Sequence, residues 1–218
     1  MRSISKLAAI CFVVTALSAC QSAYYGTLEK VGIHKRDILV DRVEETQESQ
    51  EEAQEQFVSA LEQFRSVVEF DGGELEDRFD KLNDEFEKSE EVAEEIRSRI
   101  AAIEDVAEDL FSEWEGELDQ YSSKSLRRES QRSLKSTQQR YEKLIVTMRQ
   151  SETRLNPVLD AMRDQVLYLK HNLNARAVRA VRGEIAGIDK DVDALLASMQ
   201  KSIAEADDFV NGMREETE

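Results

Sequence analysis

From Leu75 to Trp114 a core-type residue returns at alternating steps of four and three without a slip: Leu75, Phe79, Leu82, Phe86, Ser89, Ala93, Ile96, Ile100, Ile103, Ala107, Leu110, Trp114. Only Ser89 is polar, and charged residues fill the positions between. A sustained 3.5-residue period lines these side chains along one narrow stripe of an α-helix, which must be buried against other helices. Tyr121 continues the stripe after Glu117 interrupts it. At 1.5 Å per residue, a helix from Glu74 to Gln120 is roughly 70 Å long. A chain containing such a rod folds as an elongated coiled-coil bundle, not as a compact globule.

The neighbouring segments supply the partners. Upstream, Val43, Gln50, Phe57 and Phe64 recur every seven, with Ala60, Leu61, Val67 and Val68 at the alternate positions. Gln47, Gln50 and Gln54 make the middle of this helix polar. Asp71-Gly72-Gly73 is a turn signal and joins it to the long seam as an antiparallel neighbour. Downstream, Tyr121 to Ser125 is a second polar break. The seam then resumes through Leu134, Tyr141, Ile145, Met148, Leu155, Leu159, Met162, Val166, Leu169 and Leu173. Pro157 lies inside this helix, lacks a backbone donor and predicts a kink. His171 to Asn174 is a third candidate turn, with continuous helix as its alternative. The last seam runs Val181, Ile185, Ile188, Val192, Leu195, Met199, Ser202, Ala206 and Phe209, and Asn211-Gly212 is expected to stop it. No stretch reads as a strand. The expected fold is all-α: an elongated antiparallel bundle of three to four long helices joined by short loops.

The N-terminus is of another kind. Met1 to Lys6 carries Arg2 and Lys6 and no acid, Leu7 to Leu17 is almost wholly apolar, and Ser18-Ala19-Cys20 follows. A basic start, a short apolar run and small residues form the pattern of a secretory signal peptide. The run is shorter than the ~20 residues a transmembrane helix needs. Leu17-Ser18-Ala19-Cys20 resembles a bacterial lipobox, which implies cleavage before Cys20 and lipid attachment at its thiol. Gln21 and Ser22 follow, with no Asp after the cysteine. By analogy with enterobacterial sorting, this favours the outer membrane, with the chain facing the periplasm. The expected organisation is a signal peptide at 1–19, lipidated Cys20 with a linker to 28, a helical domain at 29–212 and a disordered tail at 213–218. Cys11 would be discarded with the leader, so the processed chain would have no free thiol. Loss of Arg2 and Lys6 takes the formal charge from −17 to −19.

Charge is segregated along the chain. Asp41 to Asp119 holds 29 acids against 7 bases, whereas Lys124 to Arg154 holds 9 bases against Glu129, Glu142 and Glu152. Such acidity excludes binding nucleic acid as a bulk polyanion. Two uses of the segregation are open. The basic helix can lie against the acidic ones and relieve their repulsion. Alternatively, because Cys20 anchors the start of the first helix, the turn between the second and third helices falls next to the membrane. Lys124, Arg127, Arg128, Arg132 and Lys135, with Lys30, Lys35 and Arg36, would then form a basic collar against anionic headgroups.

Motifs that carry chemistry are absent. There is no phosphate loop, no GxGxxG, no HExxH and no Glu-x-x-His pair of the di-iron type. His34 and His171 are isolated among polar residues. No catalytic residue, metal site or cofactor is expected, and the glutamate clusters read as solvated helix faces. Trp114 reads as core. Tyr24 and Tyr25 follow the anchor, either at headgroup level or as linker.

Three strings, "CQSAYYGTLEKVGIHKRDILVDRVE" from Cys20, "FDGGELE" from Phe70 and "LYLKHNLNARA" from Leu167, resemble the bacterial lipoprotein family catalogued as domain of unknown function 2959. The resemblance covers essentially the whole processed chain and implies no activity. The expected role is that of a non-enzymatic structural or adaptor lipoprotein, partnered by the membrane through its anchor and by an unidentified envelope protein. A regulatory subunit of an envelope machine, such as a transporter or peptidoglycan synthase, is the alternative. Open seams also leave room for a homo-oligomer.

Overall fold

The computed structural model describes residues 34–70 and 74–215. The expected leader, the expected anchor Cys20, Tyr24, Tyr25, Lys30, the expected turn at Asp71-Gly72-Gly73 and residues 216–218 lie outside the described residues. The described chain is helical: α1 (Lys35–Val68), α2 (Leu75–Glu117), a 3₁₀ turn (Leu118–Gln120), α3 (Lys124–His171), α4 (Ala175–Val181) and α5 (Ile185–Glu215). The four long helices form a square in which α1 packs between α2 and α5, and α3 between the same two. Sequential long helices are antiparallel, as short connections require.

The seams face inward. Phe79, Leu82, Phe86, Ser89, Ala93, Ile96, Ile100, Ile103 and Ala107 of α2 are all buried, and Leu75, Leu110 and Trp114 at its ends are partly so. Phe57 and Phe64 of α1, Met148 and Leu155 of α3, and Leu195, Met199 and Phe209 of α5 complete one continuous core. Each buried Leu, Ile or Phe contributes about 1.5–3 kcal/mol through the apolar area it removes from water. One layer of this core is polar: Gln50 of α1, Ser151 of α3 and Ser202 of α5 are fully buried. The Gln50 amide nitrogen donates to Ser151 Oγ at 3.1 Å across the diagonal of the square.

Three local features bear on the expectations. Asn211-Gly212 does not stop α5, which runs to Glu215, so residues 213–215 belong to the helix and not to a tail. Val210 and Met213 are buried and hold this last turn down. Arg140 packs over Gly212, where a Cβ would lie 3.1 Å from its Cδ and Nε. The third candidate turn is a real break. Asn172 ends α3, and Asn174 caps α4, its Oδ1 accepting from the Arg176 and Ala177 amides at 3.0 and 3.1 Å. Pro157 leaves α3 unbroken. The missing proline donor frees the carbonyl of Thr153 one turn earlier, and Thr153 is exposed, so water can satisfy it.

Candidate functional site

The two ends of the rod differ. At one end, Lys35 at the start of α1 pairs with Glu113 near the end of α2 at 2.8 Å, and the Arg36 guanidinium donates to the Met213 carbonyl of α5. The beginning of α1, the end of α5 and the α2–α3 turn are therefore neighbours. Here α1 and α5 finish while α2 and α3 continue. The segment Trp114–Gln120 and the first turns of α3 project as a two-helix tip, roughly 10 Å beyond Glu113 at 1.5 Å per residue.

The tip has its own small core. Leu118 and Leu134 are buried, and the half-buried Trp114 indole donates to Ser130 Oγ at 2.8 Å. Ser123 caps α3 by accepting from the Leu126 amide at 3.4 Å, the usual way to satisfy an orphan N–H. Tyr121 leaves the α2 stripe because the chain has already turned, and it is 41% exposed. Leu126, one turn into α3, is 59% exposed.

All five expected collar residues, Lys124, Arg127, Arg128, Arg132 and Lys135, lie on this tip and are exposed. Arg127 pairs back to Asp119 at 2.6 Å, and Arg132 pairs with Glu129 one turn earlier. Lys124, Arg128 and Lys135 make no ion pair within the described residues. The acids close by are mostly engaged: Glu113 by Lys35, Glu115 by Gln138 at 3.1 Å, Asp119 by Arg127 and Glu129 by Arg132.

Further along, α3 does lie against the acidic α2. Arg149 pairs with Glu104, Arg163 with Glu90 at 2.6 Å, and Arg97 with Asn156 at 2.7 Å. The body of α3 neutralises α2, and its first three turns do not. Tyr141 sits in this seam, packed edge-on to Phe111 with centroids 5.4 Å apart. Burial, reinforced by Glu104, pushes its phenol up to about 12.

At the opposite end the start of α2 is acidic, while the end of α3 and α4 carry the exposed bases Lys170, Arg176 and Arg179. Glu74, Glu76, Asp77 and Asp80 at the start of α2 are exposed, and Asp77 beside Glu74 holds the Glu74 carboxyl above the usual carboxylate range. Arg182 caps the end of α1 there, its Nε donating to the Val68 carbonyl at 2.8 Å.

The groove between α3 and α5 is the second unusual surface. Six large apolar residues are exposed among the described residues, and Leu126, Val146, Leu167 and Tyr168 of these lie on α3, with Tyr121 just before it. Val146 borders a groove of about 970 Å³ between α3 and α5, floored by Ala194, Ala197 and Ser198 and flanked by Arg149, Arg154 and Lys201. Sequence reasoning passed over Leu126 and Val146. Their signal was apolarity out of phase with the seam, Val146 beside the half-buried Ile145 and Leu126 between Lys124 and Arg127.

Among the described residues, no group of three or more His, Cys, Asp or Glu is placed to hold a metal ion. His34 precedes α1 and His171 ends α3, both exposed. No described helix is long and apolar enough to cross a membrane. The family model described as "Protein of unknown function (DUF2959)" matches residues 24–213. The chain belongs to this family. No curated protein and no solved structure matches it. The match spans the whole helical square and the tip, so both surfaces lie within the DUF2959 region.

Proposed function

We propose that this DUF2959 chain is a membrane-anchored periplasmic lipoprotein of the bacterial envelope, tethered through Cys20 in the outer membrane, and a structural or adaptor element rather than an enzyme. The tether is supported by the lipobox-like Leu17 to Cys20 behind a basic, apolar leader. The adaptor role rests on one observation: Val146 stands 53% exposed at the edge of the groove between α3 and α5, whose floor is Ala194, Ala197 and Ser198. Exposed apolar residues scattered singly need no explanation, whereas one that borders an open groove lined by small side chains offers a partner an apolar seat. The basic flank of the groove, Arg154 and Lys201, favours an acidic partner segment.

Two measurements test this reading. Cys20→Ser should abolish palmitate labelling and leave an unprocessed precursor, and labelling that survives the substitution removes the tether. A photo-crosslinking residue at Val146 should give a discrete adduct in intact envelopes, while one at Glu91 on the α2 surface gives none. Equal patterns from both positions refute α3 as the binding face. One recurring adduct with a single protein would make the chain a dedicated subunit of an envelope machine.

A further inference from the structure

We infer that the α2–α3 tip is a second, non-covalent contact with the bilayer, a cationic surface with an apolar point that takes anionic lipid headgroups. The orientation relies on the proposed tether, but the binding itself does not. The start of α1, reached from Cys20 through residues 21–33, lies at the same end as the tip, as the Lys35–Glu113 pair at 2.8 Å fixes. A lipid on Cys20 therefore delivers this end of the rod to the membrane and leaves the acidic Glu74–Asp80 end remote from it.

The chemistry of the tip suits that position. Lys124, Arg128 and Lys135 fall within about a third of a turn of one another around α3, given 3.6 residues per turn, and none is paired within the described residues. Of the neighbouring acids that would repel phosphate, Glu113, Asp119 and Glu129 are paired with Lys35, Arg127 and Arg132, while Glu115, hydrogen-bonded to Gln138, and Glu117 keep their charge in α2's last turn. Tyr121 and Leu126 stand at the point, 41% and 59% exposed, beside these cations. A tyrosine ring with a polar tip suits headgroup depth, and a leucine flanked by bases gains from burial below it. A protein of formal charge −17 would be repelled from an anionic bilayer in most orientations. The first turns of α3, Lys124 to Lys135, hold five bases against Glu129 alone and so supply a local attraction against that repulsion at the end the tether delivers.

The test uses the segment Gln21–Glu218, which keeps every residue of the core and lacks the lipidated cysteine. It is sedimented with vesicles of equimolar phosphatidylglycerol and phosphatidylcholine, and with phosphatidylcholine alone. Binding is expected only to the anionic vesicles, and it should fade as salt shortens the screening length from ~10 Å at 0.1 M to ~3 Å at 1 M. Reversal of Lys124, Arg128 and Lys135 to Glu should lower binding on the order of tenfold or more, since each base near a charged surface contributes about a fivefold attraction. The same change of net charge at Lys170, Arg176 and Arg179, exposed at the far end, should lower it much less. Tyr121→Ser with Leu126→Ser should weaken binding severalfold without changing its salt dependence. Circular dichroism checks that each variant keeps its helices. No binding by the parent segment, or equal losses from reversals at the two ends, overturns the inference. A tip that fails to bind leaves the Cys20 labelling result untouched, and a chain that proves unlipidated leaves the vesicle result standing.

Discussion

Glu104 of α2 receives the Arg149 guanidinium of α3 edge-on, Nε lying 3.0 Å from Oε1 and a second nitrogen on Oε2. One heptad back along α2, Arg97 holds Asn156, and one heptad further Glu90 holds Arg163. Each step of seven on α2 is answered by a step of seven in the opposite direction on α3. The order of charges matters as much as the pairs. Sliding α3 by one heptad in either direction would bring Arg97 opposite Arg149 or Arg163, replacing attraction by repulsion. The apolar seam alone tolerates such a slip, because it repeats every seven. The polar edge of the interface does not, so the ladder specifies register more than it adds stability, exposed pairs being worth ~0–1 kcal/mol each.

The adjacent residue carries the energy. Ile103 is fully buried, and Ile103→Asp would place an unpaired carboxylate in the core, a change that costs several kcal/mol. Glu104→Ala leaves Arg149 still bonded to Glu152 at 2.5 Å, and the expected loss is about 1 kcal/mol or less. Thermal melts of the two variants should differ widely, and coincident melting temperatures would mean that the register is wrong.

Acid should destabilise the α1–α2 interface at one place in particular. Lys88 beside Glu85, with Gln56 and Ser59 of α1 hydrogen-bonded to the same carboxylate, holds the Glu85 carboxyl below its usual range. Its folded pKa lies below its unfolded value, so the stabilisation is present above the ordinary carboxylate range and is lost as pH falls through the lowered one. Glu85→Gln should lower the melting temperature near neutral pH and flatten its decline on acidification. A variant whose melting temperature runs parallel to that of the parent at every pH would dismiss Glu85 as a contributor.

Alkali should act through Tyr141. Its phenol is pushed up to about 12 by burial and by Glu104, so the fold favours the neutral form. The contribution is complete below the ordinary tyrosine value of about 10 and is lost as pH rises towards the folded value. An ultraviolet absorbance titration should show a phenolate step near 12 that vanishes in Tyr141→Phe, and the variant should unfold at higher pH than the parent. An unchanged titration curve would assign that step elsewhere.

How far the sequence could be read depended on what kind of order each feature has. The seams of α2 and α5 were legible because burial there is periodic, and of the buried α2 residues from Phe79 to Ala107 spacing named all but Val106. Asn211-Gly212 misled because composition near a helix end does not reveal tertiary demand. Val210 and Met213 had core to enter, and Arg140 packs over Gly212. In α3 the spacing selected Ile145 and passed over Leu144, yet Leu144 is the fully buried one of the two. A helix contacting α2 on one side and α5 on the other buries a wider stripe than a strict heptad seam describes. The collar residues were legible as a charge run, but which of them are paired was not. Pairing depends on the register of α2 against α3 and on the 3₁₀ turn that brings Asp119 to Arg127.

The buried polar layer gives the remaining prediction. Gln50 Oε1 and Ser202 Oγ are buried without a hydrogen-bond partner, while the Gln50 amide nitrogen has Ser151. A buried polar atom left unmade costs about 1–3 kcal/mol, whereas exchanging the whole side chain for an apolar one of similar shape is often neutral or stabilising. Gln50→Met should therefore hold or raise the melting temperature. Ser151→Ala, which strips Gln50 of its one partner in the core, should lower it by more than the loss of a single hydroxyl's packing. The double variant should recover most of that loss, since no orphaned amide remains. If Gln50→Met instead destabilises as strongly as a cavity-forming change, the layer is hydrated and its waters contribute the missing bonds. Hydrogen exchange would separate the two cases, with faster exchange of the α1 amides around Gln50 in the parent only if water reaches them.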